Sequence, residues 1–267
     1  MPIDYAAIEA AVREAGQQML SAHVTPEAVS TKEGAANFVT TYDVKNQQLL
    51  ISRFSRILPE AKVFGEEETE GSSHVATDRG YVFYIDPIDG TTNFMFGLRH
   101  SNVSVGLMLD GRMVAGWVYV PYTDEMYTAV RGKGARLNGQ PIHIADRHLS
   151  EGIAFFGCAR YYNEGREDAV FDTAKAIFRQ ALALRCGGSA AMDICRTAAS
   201  ASVAYFELFL SPYDYAAASV IVEEAGGVIT QIDGSPLTFD HGCSVVAGAP
   251  LAAGEVRAIA MSYCREA

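Results

Sequence analysis

Apolar positions recur at helical spacing from the beginning of the chain. Ile8, Ala11, Val12, Ala15 and Met19 share one face, which predicts an amphipathic helix over residues 4–22. Val24 to Thr41 is mixed and polar, with Lys32-Glu33-Gly34 predicted as a mobile loop. Val44, Leu49, Leu50, Ile51 and Phe54 give a second helix, Asp43–Leu58, its apolar face, and Pro59 stands just beyond it. The period then shortens. Strands are predicted at Lys62–Gly65, Tyr81–Ile85, Asn102–Leu109, Arg112–Val120 and Glu125–Val130. Asp110-Gly111 between two of them is a hairpin signal. After about residue 145, helices at 164–180, 188–200, 212–225 and 250–264 alternate with strands near Ile153–Gly157, Ala201–Glu207, Gly227–Ile232 and Ser244–Ala247. The pattern predicts a sheet-and-helix N-terminal part, residues 1–145, and a C-terminal α/β part, residues 146–267, packed as one compact unit.

Composition narrows the partners. The 267 residues are 49% hydrophobic and 20% charged, as in ordinary globular proteins, and suffice for a large core. A net charge of -11 argues against nucleic acid and anionic membranes, which both select basic surfaces. No apolar run approaches the ~20 residues of a membrane span, and the N-terminus lacks a signal-peptide core. Cys158, Cys186, Cys195, Cys243 and Cys264 are scattered without a C-x-x-C. They read as buried thiols in a reducing compartment, with Cys186 and Cys195 as packing residues, and the cytoplasm is the expected location. The six histidines show no zinc-ligand spacing.

Candidate chemistry concentrates in Ile85-Asp86-Pro87-Ile88-Asp89-Gly90-Thr91-Thr92-Asn93-Phe94. An apolar strand delivers Asp86, Pro87 interrupts regular structure, and Gly-Thr-Thr suits a turn opening into a helix. Carboxylates at a strand end beside a helix N-terminus can hold a hard cation against a phosphate. Taken alone, Asp86 and Asp89 read first as turn residues, and the strand before them with Pro, Gly and two threonines after shifts that reading. Gly65-Glu66-Glu67-Glu68 ends another apolar run and, alone, reads as a solvated acidic face. Ser211-Pro212-Tyr213-Asp214 reads first as a capping box, a role that leaves Asp214 able to offer oxygen to a cation.

Taken together, these motifs carry a resemblance. Val39-Thr40-Thr41-Tyr42-Asp43, Phe64-Gly65-Glu66-Glu67, Asp86–Phe94, Gly188-Ser189-Ala190-Ala191, Pro212-Tyr213-Asp214-Tyr215-Ala216-Ala217 and Glu224-Ala225-Gly226-Gly227 occur in order. The chain resembles the inositol monophosphatase family of magnesium-dependent, lithium-sensitive sugar phosphatases over nearly its entire length. The resemblance implies a layered αβαβα fold, a homodimer, and two or three Mg²⁺ ions per chain. It implies Glu66, Asp86 and the Ile88 carbonyl as ligands of a first ion, Asp86, Asp89 and Asp214 as ligands of a second, and Glu66 at a weaker third. By the same resemblance Gly90 and Thr91 bind phosphate, while Asp43 and Thr91 orient the attacking water with support from Glu67. Asp89, Ala190 and Glu207 contact the substrate, and Lys32 matches a lysine near the active site. For Lys32 surface charge is the alternative, and for Glu207 a strand-end surface acid.

The implied reaction is in-line attack of water on a phosphate monoester of a small sugar or polyol, inositol monophosphate first. Histidinol phosphate, fructose bisphosphate and phosphoadenosine phosphate are the alternatives. Tyr213 stands where the family usually has tryptophan, and Leu98-Arg99-His100 departs from its usual apolar-proline pattern. Haloacid-dehalogenase phosphatases use D-x-D-G-T with an aspartyl nucleophile. The three-residue spacing here and the upstream Glu66-Glu67 argue against that mechanism. A regulatory binding protein on this scaffold is the non-enzyme alternative, and it would not need all of Glu66, Asp86, Asp89 and Asp214.

Overall fold

The computed structural model describes residues 3–32, 37–67, 69–71 and 79–264. In chain order the elements are α1 (Tyr5–Leu20), β1 (Val29–Thr31), β2 (Phe38–Thr40), α2 (Thr41–Ile57), β3 (Lys62–Gly65), β4 (Tyr81–Asp89) and α3 (Thr91–Met95). There follow β5 (Asn102–Leu109), β6 (Arg112–Val120), β7 (Glu125–Val130), β8 (Ala135–Leu137), β9 (Gln140–Ile142) and β10 (Ile153–Phe156). The remainder comprises α4 (Glu167–Phe178), β11 (Ala183–Arg185), α5 (Ala190–Ala198), β12 (Ala204–Leu210), α6 (Pro212–Glu224), β13 (Val228–Thr230), β14 (Cys243–Gly248) and α7 (Pro250–Tyr263).

Among the described residues, strands β3 to β9 form a seven-stranded sheet in chain order, parallel at β3–β4 and antiparallel thereafter. A five-stranded sheet has the order β11-β10-β12-β14-β13. Because side chains alternate along a strand, each sheet feeds two cores. Phe83 and Ile85 face α1 and α2, packing with Ile8, Val12, Leu50 and Phe54. Val82 and Tyr84 face the other way, into a core shared with α5, α6 and Tyr205 of the second sheet. Phe206, one residue on, enters the third core with Val170 and Ile177 of α4 and Val256 of α7. The layers are therefore helix, sheet, helix, sheet, helix, as the resemblance implied.

The differences from the sequence reading are local. Strands β1, β2, β8, β9 and β11 have three residues each, too few for a period to show. β1 and β2 pair antiparallel within the segment read as mixed and polar. Glu33 and Gly34 lie outside the described residues. Strand β4 does not stop at Ile85; it runs to Asp89 through an irregular register. Asp86 pairs Ser104 while Asp89 pairs Asn102, so three steps along β4 match two along β5. The additional residue is a bulge, and it accommodates Pro87, which has no N–H for the ladder. The strand read as Ala201–Glu207 runs instead from Ala204 to Leu210, placing Glu207 mid-strand.

Candidate functional site

The bulge decides where the acids of β4 point. Residues three apart in a regular strand face opposite sides; one inserted residue restores them to the same side. Asp86 and Asp89 each present a carboxylate oxygen to the first turn of α6, where Asp214 presents a third. These three oxygens lie within 4.8 Å of one another, and all three residues are buried. The Asp86 carboxyl is held well above its usual range by burial, then by Glu66, Asp89 and Asp214. Asp214 is raised likewise by burial and by Asp89 and Glu66.

Two unit charges 4 Å apart repel by about 4 kcal/mol at an effective dielectric of 20, so such a trio requires a cation or protons. Among the described residues no ion pair reaches any of the three. An all-oxygen donor set of this charge suits a hard divalent ion such as Mg²⁺. The residues present fit the metal.

Each aspartate is aimed by its own hydrogen bonds. Asp86 Oδ1 accepts the Ile88 N–H at 3.0 Å. Asp89 accepts from Asn102 Nδ2 at 2.6 Å, Ser189 Oγ at 2.8 Å, and the N–H groups of Ala191 at 2.9 Å and Ala190 at 3.1 Å. Burial raises Asp89, and these donors partly offset it. Asp214 takes the Ser211 N–H at 2.7 Å, so the capping role read from sequence is present alongside the cluster. Ala190 is buried at the cleft wall, with its N–H committed to Asp89.

A second acidic group adjoins the first. Asp43, buried at the start of α2, accepts from Thr40 N at 2.7 Å and Thr40 Oγ1 at 2.5 Å. The Thr91 hydroxyl lies 3.2 Å from Asp43 Oδ1 and 3.1 Å from the Ile88 carbonyl, and its single proton can go to either. Burial, then Glu66, pushes Asp43 up to about 6. Glu66 and Glu67 follow β3, where the Gln47 side-chain amide binds both N–H and C=O of Glu67, at 3.0 and 2.6 Å. Lys32 Nζ reaches Glu66 Oε1 at 2.9 Å and Glu67 Oε1 at 2.6 Å. Against the cost of its burial, these two carboxylates hold the ammonium above its ordinary value. The surface-charge reading of Lys32 is thereby corrected.

Gly90 joins β4 to α3 at φ 85°, a conformation that favours glycine. A Cβ there would stand 3.0 Å from the His100 carbonyl and 3.1 Å from that of Gly188. The N–H groups of the following turn begin a helix, where anions are favoured.

A cleft of about 330 Å³ opens above these groups, lined from one side by Asp86, Asp89 and Thr91 and from the other by Tyr161, Tyr162 and Glu207. Glu207 is buried, which overturns the surface-acid reading, and it accepts the Tyr205 hydroxyl at 2.5 Å. Burial pushes its carboxyl up to about 8. Gly157 leaves room for it: a Cβ there would lie 1.9 Å from Glu207 Oε2. Tyr213, the residue that departs from the usual tryptophan, is half-buried with its ring centroid 6.4 Å from that of Phe64.

Several site residues escaped the sequence reading. Gln47, Asn102 and Tyr162 act on acids far from them in the chain, so no local pattern marks them, while Ser189, inside a quoted motif, gains its role at Asp89 only in the fold. Asn93 ties the signature turn to the carbonyls of Gly187 at 2.8 Å and Gly188 at 3.1 Å, and its place inside the motif was the one available signal. Cys186, read as a packing residue, is exposed, and Cys158 is only partly buried.

Comparison with known proteins agrees with this architecture. The model of the inositol monophosphatase family matches residues 1–263. The Nus factor SuhB of Salmonella typhimurium is 32% identical over 241 residues, covering 90% of this chain and 89% of that protein. The inositol-1-monophosphatase of Bacillus subtilis is 31% identical over 240 residues, with the same coverage of 90% and 89%. The crystal structure of the extragenic suppressor protein SuhB from Bartonella henselae superposes with a TM-score of 0.86 at 26% identity, covering 96% of this chain and 97% of that one. With its signature acids gathered at one cleft and a matching fold throughout, the chain belongs to the inositol monophosphatase family, whose members are in general Mg²⁺-dependent phosphatases.

Proposed function

We propose that this chain hydrolyses the phosphate monoester of a small polyol, inositol monophosphate first, with Mg²⁺ held by Asp86, Asp89, Asp214, Glu66 and the Ile88 carbonyl. The observation that carries the reading is the buried trio Asp86, Asp89 and Asp214, with oxygens within 4.8 Å, next to the Gly90–Thr91 turn. When bound, the metal neutralises phosphoryl charge, acidifies water and stabilises the departing alkoxide. The chain's own groups do the rest. Backbone N–H groups of Gly90 and Thr91 hold phosphoryl oxygens at the start of α3. Asp43 Oδ1 and Thr91 Oγ1, 3.2 Å apart, orient the attacking water, and Glu67 supports them. Glu207, buried opposite the acids, meets the hydroxyls of the polyol. Asp89 orients a water toward the leaving oxygen. A homodimer, lithium inhibition and a third, weaker ion at Glu66 belong to the same reading.

The test is phosphate release from inositol monophosphate, histidinol phosphate, fructose bisphosphate and phosphoadenosine phosphate, each with Mg²⁺ and with added Li⁺. Mg²⁺-dependent release, fastest with inositol monophosphate and suppressed by Li⁺, is expected. Silence across the panel would overturn the reading.

A second reading, a regulatory binding protein on the same scaffold, is favoured by one observation: the Salmonella relative is named as a Nus factor. The two separate on Asp86→Asn. A binding role survives the loss of that carboxylate, and hydrolysis does not.

A further inference from the structure

Two cysteines face each other at the mouth of the cleft. Cys158 follows β10, and Cys186 precedes α5; their sulfurs are 3.3 Å apart, and both line the cleft. The proposed hydrolysis uses neither. A disulfide has an S–S length of about 2.05 Å, so only a small approach separates this pair from a bond.

What each cysteine's loop carries gives the contact its consequence. The Cys158 loop begins at Gly157, packed on Glu207, and continues to Tyr162, whose hydroxyl lies 3.3 Å from Asp214 Oδ2. The Cys186 loop runs through Gly187 and Gly188, held by Asn93, to Ser189, which donates to Asp89. A covalent link would tie the segment beside Asp214 and Glu207 to the segment behind Asp89, across the opening a polyol must pass.

We propose that Cys158 and Cys186 form a reversible disulfide that narrows the cleft mouth and weakens substrate binding. The oxidant is a low-molecular-weight disulfide. The Cys158 thiolate attacks one of its sulfurs, forming a mixed disulfide and releasing one small thiolate. Cys186 then loses its proton and attacks Cys158 Sγ, closing the protein disulfide and expelling the second. Two protein thiols are oxidised by two electrons, and one small disulfide is reduced to two thiols. The order of attack follows the environment. The contact between the two sulfurs lowers Cys158 to about 7. The same contact raises Cys186. Cytosolic disulfides are typically transient and redox-sensing, as this one would be.

The pairing itself does not rest on the phosphatase reading; only its effect on substrate does. The full chain is incubated with oxidised glutathione, alkylated and mapped by mass spectrometry. KM and kcat for inositol monophosphate are measured on reduced and oxidised protein. A Cys158–Cys186 linked peptide is expected, with KM raised by about five- to tenfold and kcat within about twofold, as for a loss of ground-state binding. Dithiothreitol should reverse both changes. In Cys158→Ser, which removes the first nucleophile, oxidised and reduced samples should have equal KM, while in Cys186→Ser the map should show Cys158 held as its glutathione mixed disulfide. Absence of the linked peptide, a link that leaves KM unchanged, or a Cys158→Ser variant that still responds would each overturn the proposal. Should reduced protein release no phosphate, the phosphatase reading alone fails. The peptide map still decides the pairing, and calorimetric binding of inositol monophosphate decides its effect.

Discussion

The hydroxyl of Tyr162 lies 3.3 Å from Asp214 Oδ2 and 2.9 Å from Ser211 Oγ, and its single proton can go to either. A tyrosine from the loop after β10 thus steadies an aspartate at the start of α6, 52 residues later in the chain. Tyr162→Phe removes that donor and little volume. A hydrogen bond to a charged group contributes about 1.5–3 kcal/mol, and sharing with Ser211 reduces this. The Mg²⁺ concentration for half-maximal phosphate release should rise by about three- to tenfold, with saturating kcat less affected. An unchanged Mg²⁺ titration would remove Tyr162 from the site.

Asp86→Asn should have opposite effects on function and stability. Phosphate release should fall by at least about a thousandfold, because the shared carboxylate of the cluster is lost. Without metal the variant should melt higher than the parent, since one of three mutually repelling buried carboxylates is gone. Its Asn Oδ1 can still accept the Ile88 N–H. Calorimetry in EDTA and in excess Mg²⁺ checks both halves. The parent should be stabilised by Mg²⁺ through mass action and the variant should not.

Gly157→Ala places a methyl where Glu207 Oε2 stands, at 1.9 Å, so the carboxyl must move. The metal cluster lies elsewhere in the cleft. KM for inositol monophosphate should therefore rise about tenfold or more while kcat stays within severalfold, the signature of lost substrate binding. Steady-state kinetics that show the reverse split would place Glu207 in the chemical step.

Glu207 also sets a pH dependence of stability. Its folded pKa is raised from 4.5 to about 8. Between those values the folded state holds a proton that the unfolded state has released. Stability from this group is full below 4.5 and is lost as pH rises through about 8, with a slope of at most about 1.4 kcal/mol per pH unit. Glu207→Gln, which keeps the neutral shape, should flatten the fall in urea midpoint between pH 5 and 8. A parent whose stability rises across that window would contradict the assignment.

The chain announced most of its local structure. The apolar periods over Ile8–Met19 and Asn102–Val130 foretold a helix and a meander, because one helical face or alternate strand positions must be buried. Asp110-Gly111 foretold its hairpin because both residues adopt positive φ, at 47° and 79°. Three-residue strands such as Gln140–Ile142 left no such mark, being shorter than the pattern that would reveal them.

By itself the sequence determined the helices and longer strands, the carboxylates in their motifs, and the family those motifs resemble. Only the tertiary structure decided which groups meet. Strand β4's bulge turns Asp86 and Asp89 to one side, and the packing of α6 on the seven-stranded sheet brings Asp214 to them. It put Lys32 between Glu66 and Glu67, buried Glu207, and brought Cys158 to Cys186. The physical reason is range. Periodicity and capping act over a few residues and are written locally, whereas a meeting of distant side chains depends on strand order, register and layer packing, which no short stretch of sequence contains.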